Sequence, residues 1–449
     1  MASAAEQLAR NTNWGALAKA TELRKRILFV LGALVVYRFG TYVPLPGIDP
    51  TVWQQIYSQQ GGGILDMFNL FAGGALGRMT IFALNIMPYI SASIIMQLAA
   101  AMNKDLENMR KEGETGRMRF NQYTRYLTVL IAAIQGYGLA VGLESWQGGA
   151  GGGSAVMNPG IFFKVTTVIT IVGGTVFLMW LGEQITARGI GNGISLIIFA
   201  GIVAELPRAF AQTLELGRTG QFGFVTLLGL FIMVVAVIAF IVFIERAQRR
   251  VTVQYPKRQV GNRMFGGDTN HLPLKLNTAG VIPPIFASAL LFLPMTVVGF
   301  TGMEGGDVSE AINRYLSRGS ITFMVFYGAL VAFFAFFYTA IVFNPEENAD
   351  MLRKYGGFIP GIRPGKNTAE YLDYVLTRLT TVGAIYLVFI CLLPEFLVAQ
   401  YNIPFYFGGT SLLIVVTVTM DTVAQIHSHL IAHQYEGLIK KSKLRGRRR

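Results

Sequence analysis

Few residues in this chain are of a type and spacing that could do chemistry. His427, His429 and His433 form an HxHxxxH run. His429 and His433 stand four apart, so on a helix they share one face and could hold a metal. No cysteine or well-placed carboxylate completes that set, and a solvated helix surface is the expectation. Cys391 is the single cysteine and falls inside an apolar run, so no intrachain disulfide can form. The sequence contains no Walker loop, no HExxH and no GxSxG elbow. We therefore expect no enzyme activity, no cofactor and no metal. What remains is a pattern of isoleucines: Ile86 and Ile90 are four apart, as are Ile194 and Ile198, so each pair occupies one helix face. From periodicity alone such pairs read as lipid contact or packing.

The elements that carry these residues follow from composition. Only 14% of the chain is charged and 52% is hydrophobic, against about 25% charged in a soluble domain. The apolar residues come in blocks, and a helix of about 20 residues crosses about 30 Å of hydrocarbon. Candidate spans are Ile27–Val43, Met79–Leu98, Leu127–Leu143, Phe162–Leu181, Ile190–Leu206, Phe222–Ile244, Ala279–Phe300, Ile321–Phe343, Leu379–Pro394 and Phe405–Met420. The expected fold is an all-α membrane protein of ten transmembrane helices. Of the 38 Lys and Arg, all but Lys164, Arg208, Arg218, Arg314, Arg318, Arg38 and Arg78 fall on the side of the two termini. The positive-inside rule then places both termini in the cytoplasm. The net charge of +13 forms a basic cytoplasmic face that attracts anionic lipids, an acidic partner or RNA phosphates.

Five spans on either side of an external hinge imply two halves of opposite orientation, with a pathway between them. The expected organisation is an amphipathic cytoplasmic segment at 1–26, a first half at 27–206, an external hinge loop at 207–221, a second half at 222–424 and a basic tail at 425–449. Two segments break the plain bundle. Gly61–Leu76 is apolar, too short to cross and bracketed by glycines, which predicts a half-inserted helix holding Asp66 and Asn69. The fifth span begins ARGIGNGISLII, where three glycines loosen the helix start. In the long loop 245–278, VTVQYPKRQV predicts a short hairpin. The loop 344–373 presents Arg363 in GGFIPGIRPG. Ionisable groups are missing at mid-depth, which disfavours a proton- or sodium-coupled solute transporter. A solute transporter of inverted five-helix repeats and an insertase or scaffold stand beside a channel for something large and varied.

Several long stretches then carry a resemblance. MFNLFAGGALGRMTIFALNIMPYISASIIMQL, MWLGEQITARGIGNGISLIIFAGIVAELP, HLPLKLNTAGVIPPIFASALLFLP, VFNPEENADMLRKYGGFIPGIRPG and IPFYFGGTSLLIVV closely resemble the bacterial SecY family, the channel subunits of the Sec protein translocon. The resemblance runs from about Thr21 to Tyr435. It implies an hourglass pore closed by an apolar ring at Ile86, Ile90, Ile194, Ile198, Ile285 and Ile414. It implies a plug at about 64–76, including Ile64, Leu65, Asp66, Met67, Phe68, Asn69, Leu70 and Phe71. A lateral gate between the second and third spans and the seventh and eighth is implied, with Ser91, Gln97, Gln135 and Ser288 as polar positions there. Lys257, Arg258, Arg263 and Arg363 match docking positions for the SecA motor ATPase or a ribosome. SecE and SecG are the implied partner subunits, secretory and membrane polypeptides with signal sequences the cargo, and the bacterial plasma membrane the location. The chain departs from the common family pattern at Asn85, which replaces a small residue, at Pro283–Pro284, at Asn262 and in the Gly148–Gly153 run.

Overall fold

The structure is a computed structural model that describes residues 20–60, 69, 71–145, 154–220, 223–256, 258–260, 263–265, 269–300, 320–401 and 409–446. The helices are α1 (Thr21–Gly40), α2 (Pro50–Gln60), α3 (Met87–Met102), α4 (Lys104–Lys111), α5 (Glu114–Ser145), α6 (Ile161–Arg188), α7 (Gly193–Arg218), α8 (Phe224–Arg246), α9 (Ile282–Phe300), α10 (Ile321–Val342), α11 (Pro345–Lys354), α12 (Lys366–Tyr401) and α13 (Gly409–Gly446). Four short strands, β1 (Gln248–Gln254), β2 (Arg258–Val260), β3 (Arg263–Phe265) and β4 (Thr269–Lys275), lie between α8 and α9. Among the described residues, seven helices (α5, α6, α7, α8, α10, α12 and α13) are long and apolar enough to cross a membrane. Two shorter apolar helices, Met87–Met102 and Ile282–Leu291, stand in the expected second and seventh spans. The chain is a multi-pass membrane protein in which helices dominate. It divides into two compact units: residues 1–208 with 292–312 and 418–449, and residues 209–291 with 313–417.

In the first unit, the expected span Met79–Leu98 is helical only from Met87. Pro88 explains the start: without an N–H and with a ring that clashes one turn back, proline fits only the first turn. The preceding stretch is a chain of turns in which Met79 (φ 43°) and Asn85 (φ 49°) are left-handed, a conformation no helix continues. Thr80 pairs there with Pro44, and the Ile81 N–H donates to the Val43 carbonyl at 3.1 Å. Of the segment expected to be half-inserted, residues 61–68 and 70 lie outside the described residues. So do residues 1–19 of the expected amphipathic segment. The start of α7 is firmer than its glycines implied. Asn192 Oδ1 accepts from the Ile194 N–H at 3.1 Å, a helix cap. Gly193 is required because its Cα packs against the backbone carbonyl of Gly182 on α6. Further on, α7 runs through Pro207 to Arg218, so most of the stretch expected as a hinge loop is helical. Proline removes one backbone bond, but the run Ala-Phe-Ala-Gln-Thr-Leu-Glu-Leu after Arg208 favours helix.

Helix α2 is started by Asp49, whose Oδ1 accepts from the Thr51 hydroxyl at 2.6 Å and the Thr51 N–H at 2.9 Å. Chiefly the Thr51 hydroxyl, with the backbone N–H groups, holds the Asp49 carboxyl below its ordinary pKa. A depressed folded-state pKa stabilises above the unfolded value and is lost as pH falls through the folded one. Asp49→Asn should therefore lower the thermal midpoint at pH 7, and the difference from wild type should shrink progressively below about pH 4. Melting curves of both proteins across that range in one detergent check this; a gap that widens in acid refutes the capping role.

In the second unit, β1 pairs antiparallel with β4, Val251 opposite Leu272 and Gln254 opposite Thr269, while β2 pairs with β3. The loop thus carries antiparallel hairpin pairing as expected, with VTVQYPKRQV in its first arm, interrupted at Tyr255 and Pro256, where proline offers no donor to a ladder. Gln254 also exchanges two backbone hydrogen bonds with Phe358, at 2.8 and 2.9 Å. Val251, Leu274, Ile359, Leu372 and Val375 close a small buried core under this contact. The ribbon and the 355–365 loop are therefore one body, and it carries exposed Arg363.

Candidate functional site

The residues proposed from sequence as a ring are distributed over both units. Ile86 is the residue before α3, fully buried, and its carbonyl accepts from the Ile90 N–H at 3.1 Å, so the pair does share one helical turn. Ile198 is buried on the second turn of α7, with Ile194 half-buried one turn earlier. Ile285 near the start of α9 and Ile414 on α13 are both buried in the second unit. Polar groups fix the starts of two of these helices, α9 and α7. Asn277 fixes the turn before α9: its side-chain amide donates to Glu245 Oε1 at 2.6 Å and to the Gly280 carbonyl at 3.0 Å. Thr186 does the same for α7, its Oγ1 accepting from the Gly193 N–H at 2.8 Å.

Beside Ile86, the first unit holds a set of side chains that sequence reasoning missed. All of them grip backbone carbonyls of residues 71–76. Arg38 and Arg78 both donate to the Gly73 carbonyl, at 2.7 and 2.8 Å. Asn85 donates to the Phe71 carbonyl at 2.6 Å, and Trp53 Nε1 to the Leu76 carbonyl at 3.1 Å. The two guanidinium groups lie over the Tyr42 ring, 4.9 and 4.3 Å from its centroid, which screens their mutual repulsion. Asn69, within the expected plug, accepts from the Gly77 N–H at 2.7 Å. Phe71 is buried; the other named plug residues, 64–68 and 70, lie outside the described residues. No sequence signal marked this grip: its members come from α1, α2 and the turn segment before α3, and residue types do not single out a main-chain carbonyl as their target.

Asn85 now has a physical reason. Its left-handed φ is tolerated by glycine and, among larger residues, best by asparagine. The amide also supplies the bond to Phe71 that glycine lacks.

The polar positions expected at a gate are buried or half-buried. Ser91 and Gln97 lie on α3 and Gln135 on α5, in the first unit; Ser288 lies on α9 in the second. Gln97 donates to Ser93 Oγ at 3.2 Å, yet Gln97 Oε1 and Gln135 Oε1 have no hydrogen-bond partner among the described residues. Ser288 turns its hydroxyl onto the Pro284 and Ile285 carbonyls, 2.9 Å each. Of the expected docking residues, Arg258 and Arg263 sit on β2 and β3, and Arg363 tips the neighbouring loop. Lys257 lies outside the described residues. No group of three or more His, Cys, Asp or Glu that could hold a metal occurs among the described residues.

Comparison with known proteins gives this arrangement a context. A family model described as SecY matches residues 80–423. Protein translocase subunit SecY of Escherichia coli (strain K12) is 53% identical over 426 residues, covering 95% of this chain and 96% of that protein. The Rickettsia conorii subunit of the same name is 54% identical over 424 residues, covering 94% and 97%. In fold, the chain is similar to a solved protein-conducting channel, at a TM-score of 0.66 and 19% identity, covering 90% of this chain and 92% of that one. It is also similar to Sec61 in the canine ribosome-channel complex from the endoplasmic reticulum, at a TM-score of 0.61 and 19% identity, covering the same shares. With half of its residues identical over nearly the full length of both chains, and with a helical membrane architecture to match, the chain belongs to the SecY family.

Proposed function

We infer that this chain is a protein-conducting channel, which passes unfolded secretory polypeptides across a membrane and releases membrane segments sideways into lipid. The observation that carries the reading is 53% identity over 95% of the chain to a protein translocase subunit. The chain itself is no enzyme; partner motors supply the energy. The solute-transporter alternative finds no support in these relatives.

The finer reading rests on chemistry. Ten spans, with α1 and the short α3 and α9 completing the set, form two halves around an hourglass pore. Ile86, Ile90, Ile194, Ile198, Ile285 and Ile414 form its ring. A narrow apolar ring sheds water and so resists ion flow at rest. It offers a passing chain no hydrogen bond, so every sequence slides at similar cost. Residues 64–76 form the plug, and the carbonyl grip of Arg38, Arg78, Asn85 and Trp53 holds its stem. Ser91, Gln97, Gln135 and Ser288 line the lateral gate; the two orphaned amide oxygens favour an opening that lets water or a signal peptide reach them. The basic ribbon with Arg258 and Arg263, together with Arg363 and Lys257, docks SecA or a ribosome, and SecE and SecG complete the complex. Both termini lie in the cytoplasm and the membrane is the bacterial plasma membrane.

Purified chain with SecE and SecG in vesicles should import an unfolded secretory protein only when SecA and ATP are both present. Protease protection of the cargo reads this out. Uptake of a small solute with no protein import overturns the proposal.

A further inference from the structure

Between α10 and α12, wholly inside the second unit, runs an apolar groove of about 610 Å³. Ala332, Phe336, Thr381, Ala384, Phe389 and Phe396 are among its walls. Ala384 is buried, whereas the Phe336, Phe389 and Phe396 rings are 41%, 56% and 56% exposed. Small residues thus form the floor and phenyl rings the rim. The one hydroxyl there is already satisfied: Thr381 donates to the Thr377 carbonyl at 2.8 Å. Both helices are long and apolar enough to span a membrane, so the groove faces hydrocarbon and not water.

Its length and width select the occupant. From Thr381 to Phe396 the helix rises about 22 Å at 1.5 Å per residue. A single extended chain fits. At the end of the groove nearest the β-ribbon, one turn before Thr381, stands Arg378. It is exposed, and its guanidinium lies 4.2 Å from the centroid of the Tyr374 ring. No carboxylate pairs with it among the described residues.

We propose that this groove and Arg378 bind one anionic phospholipid, an acyl chain lying along the groove and the phosphate on the guanidinium. Inside a bilayer an apolar groove gains nothing from leaving water, so retention comes from packing and from the charge. The planar fork of arginine, held against Tyr374, presents paired donors that match phosphate oxygens. The proposal rests on the chain's being membrane-embedded and is independent of what the channel transports.

The test uses the full chain in vesicles that contain trace phosphatidylglycerol or phosphatidylcholine with a photoreactive group on the acyl chain. Crosslinked peptides are located by mass spectrometry. We expect adducts on residues 381–396 to form about fivefold more from phosphatidylglycerol. Arg378→Gln should bring that ratio to about one. Ala332→Phe fills the groove and should lower adducts there by a similar factor, while adducts around exposed Phe231 of α8 stay unchanged and report normal insertion. Equal labelling from both lipids in the unaltered chain overturns the proposal. So do groove adducts that persist in a normally inserted Ala332→Phe protein.

Discussion

Vesicles carrying the channel with both Ile86 and Ile198 changed to asparagine should leak ions at rest at least about tenfold faster than vesicles with the unaltered protein. The two side chains are 0% and 3% exposed, so each change places an amide where only hydrocarbon stands. An apolar constriction excludes ions because water does not persist in it. A tenfold change needs only about 1.4 kcal/mol from the barrier. Two amides able to hold water at about 1 kcal/mol each supply that amount. Ile→Leu at both positions keeps the proposed ring apolar and is the control. Conductance of planar bilayers or dye-reported ion flux in vesicles measures the effect. Equal conductance in all three proteins would mean that these isoleucines pack a core and do not bar a pore.

The second large effect concerns Gly201→Val. Gly201 on α7 has Tyr37 and residues 71–73 pressed against it. A Cβ there would lie 2.8 Å from the Phe71 carbonyl oxygen, 3.1 Å from Tyr37 Oη and 3.3 Å from the Gly73 nitrogen. Backbone atoms cannot swing aside as a flexible side-chain end can. Valine at 201 must therefore part α7 from the turn segment and break the bonds that Arg38 and Asn85 make to it. We expect a loss of about 3 kcal/mol or more, seen as a lower melting midpoint and faster proteolysis around residues 69–77. Gly229→Val on α8 meets nothing within 4 Å and should leave both readouts near those of the unaltered protein. Matching behaviour of the two variants would refute the close approach.

How much of this was legible in the sequence depended on what kind of interaction set each feature. Long apolar blocks gave α5, α6, α8, α10 and α12 directly, because burying or wetting a side chain is read from its type. The second span was overdrawn for the same reason. Residues 79–86 are apolar, but their left-handed positions at Met79 and Asn85 are a property of backbone angles that hydropathy does not weigh. Pro88 carried the missing information. The β1–β4 pairing was out of reach because β-branched residues in 251–253 indicate a strand without naming its partner. The partner was fixed by burial of Val251 against Leu274 and Ile359, contacts distant in the chain. The cap at Asn192 was readable from residue type and spacing. The convergence of Arg38, Arg78, Asn85 and Trp53 was not, since main-chain carbonyls leave no mark in a sequence.

That last point reaches into how such a protein can change over generations. Four side chains hold residues 71–76 through main-chain oxygens, which every amino acid possesses alike. The grip therefore reads shape and ignores letters, apart from the left-handed turn at Gly73 and Gly74. Side chains on the held residues can be exchanged without losing these four bonds, provided the glycine turn arrives in place. The holders are under the opposite rule: losing Asn85 or Trp53 strands a carbonyl whatever side chains the held segment carries, while Gly73 keeps one arginine if the other is lost. Over time the held segment should vary while its holders stay still.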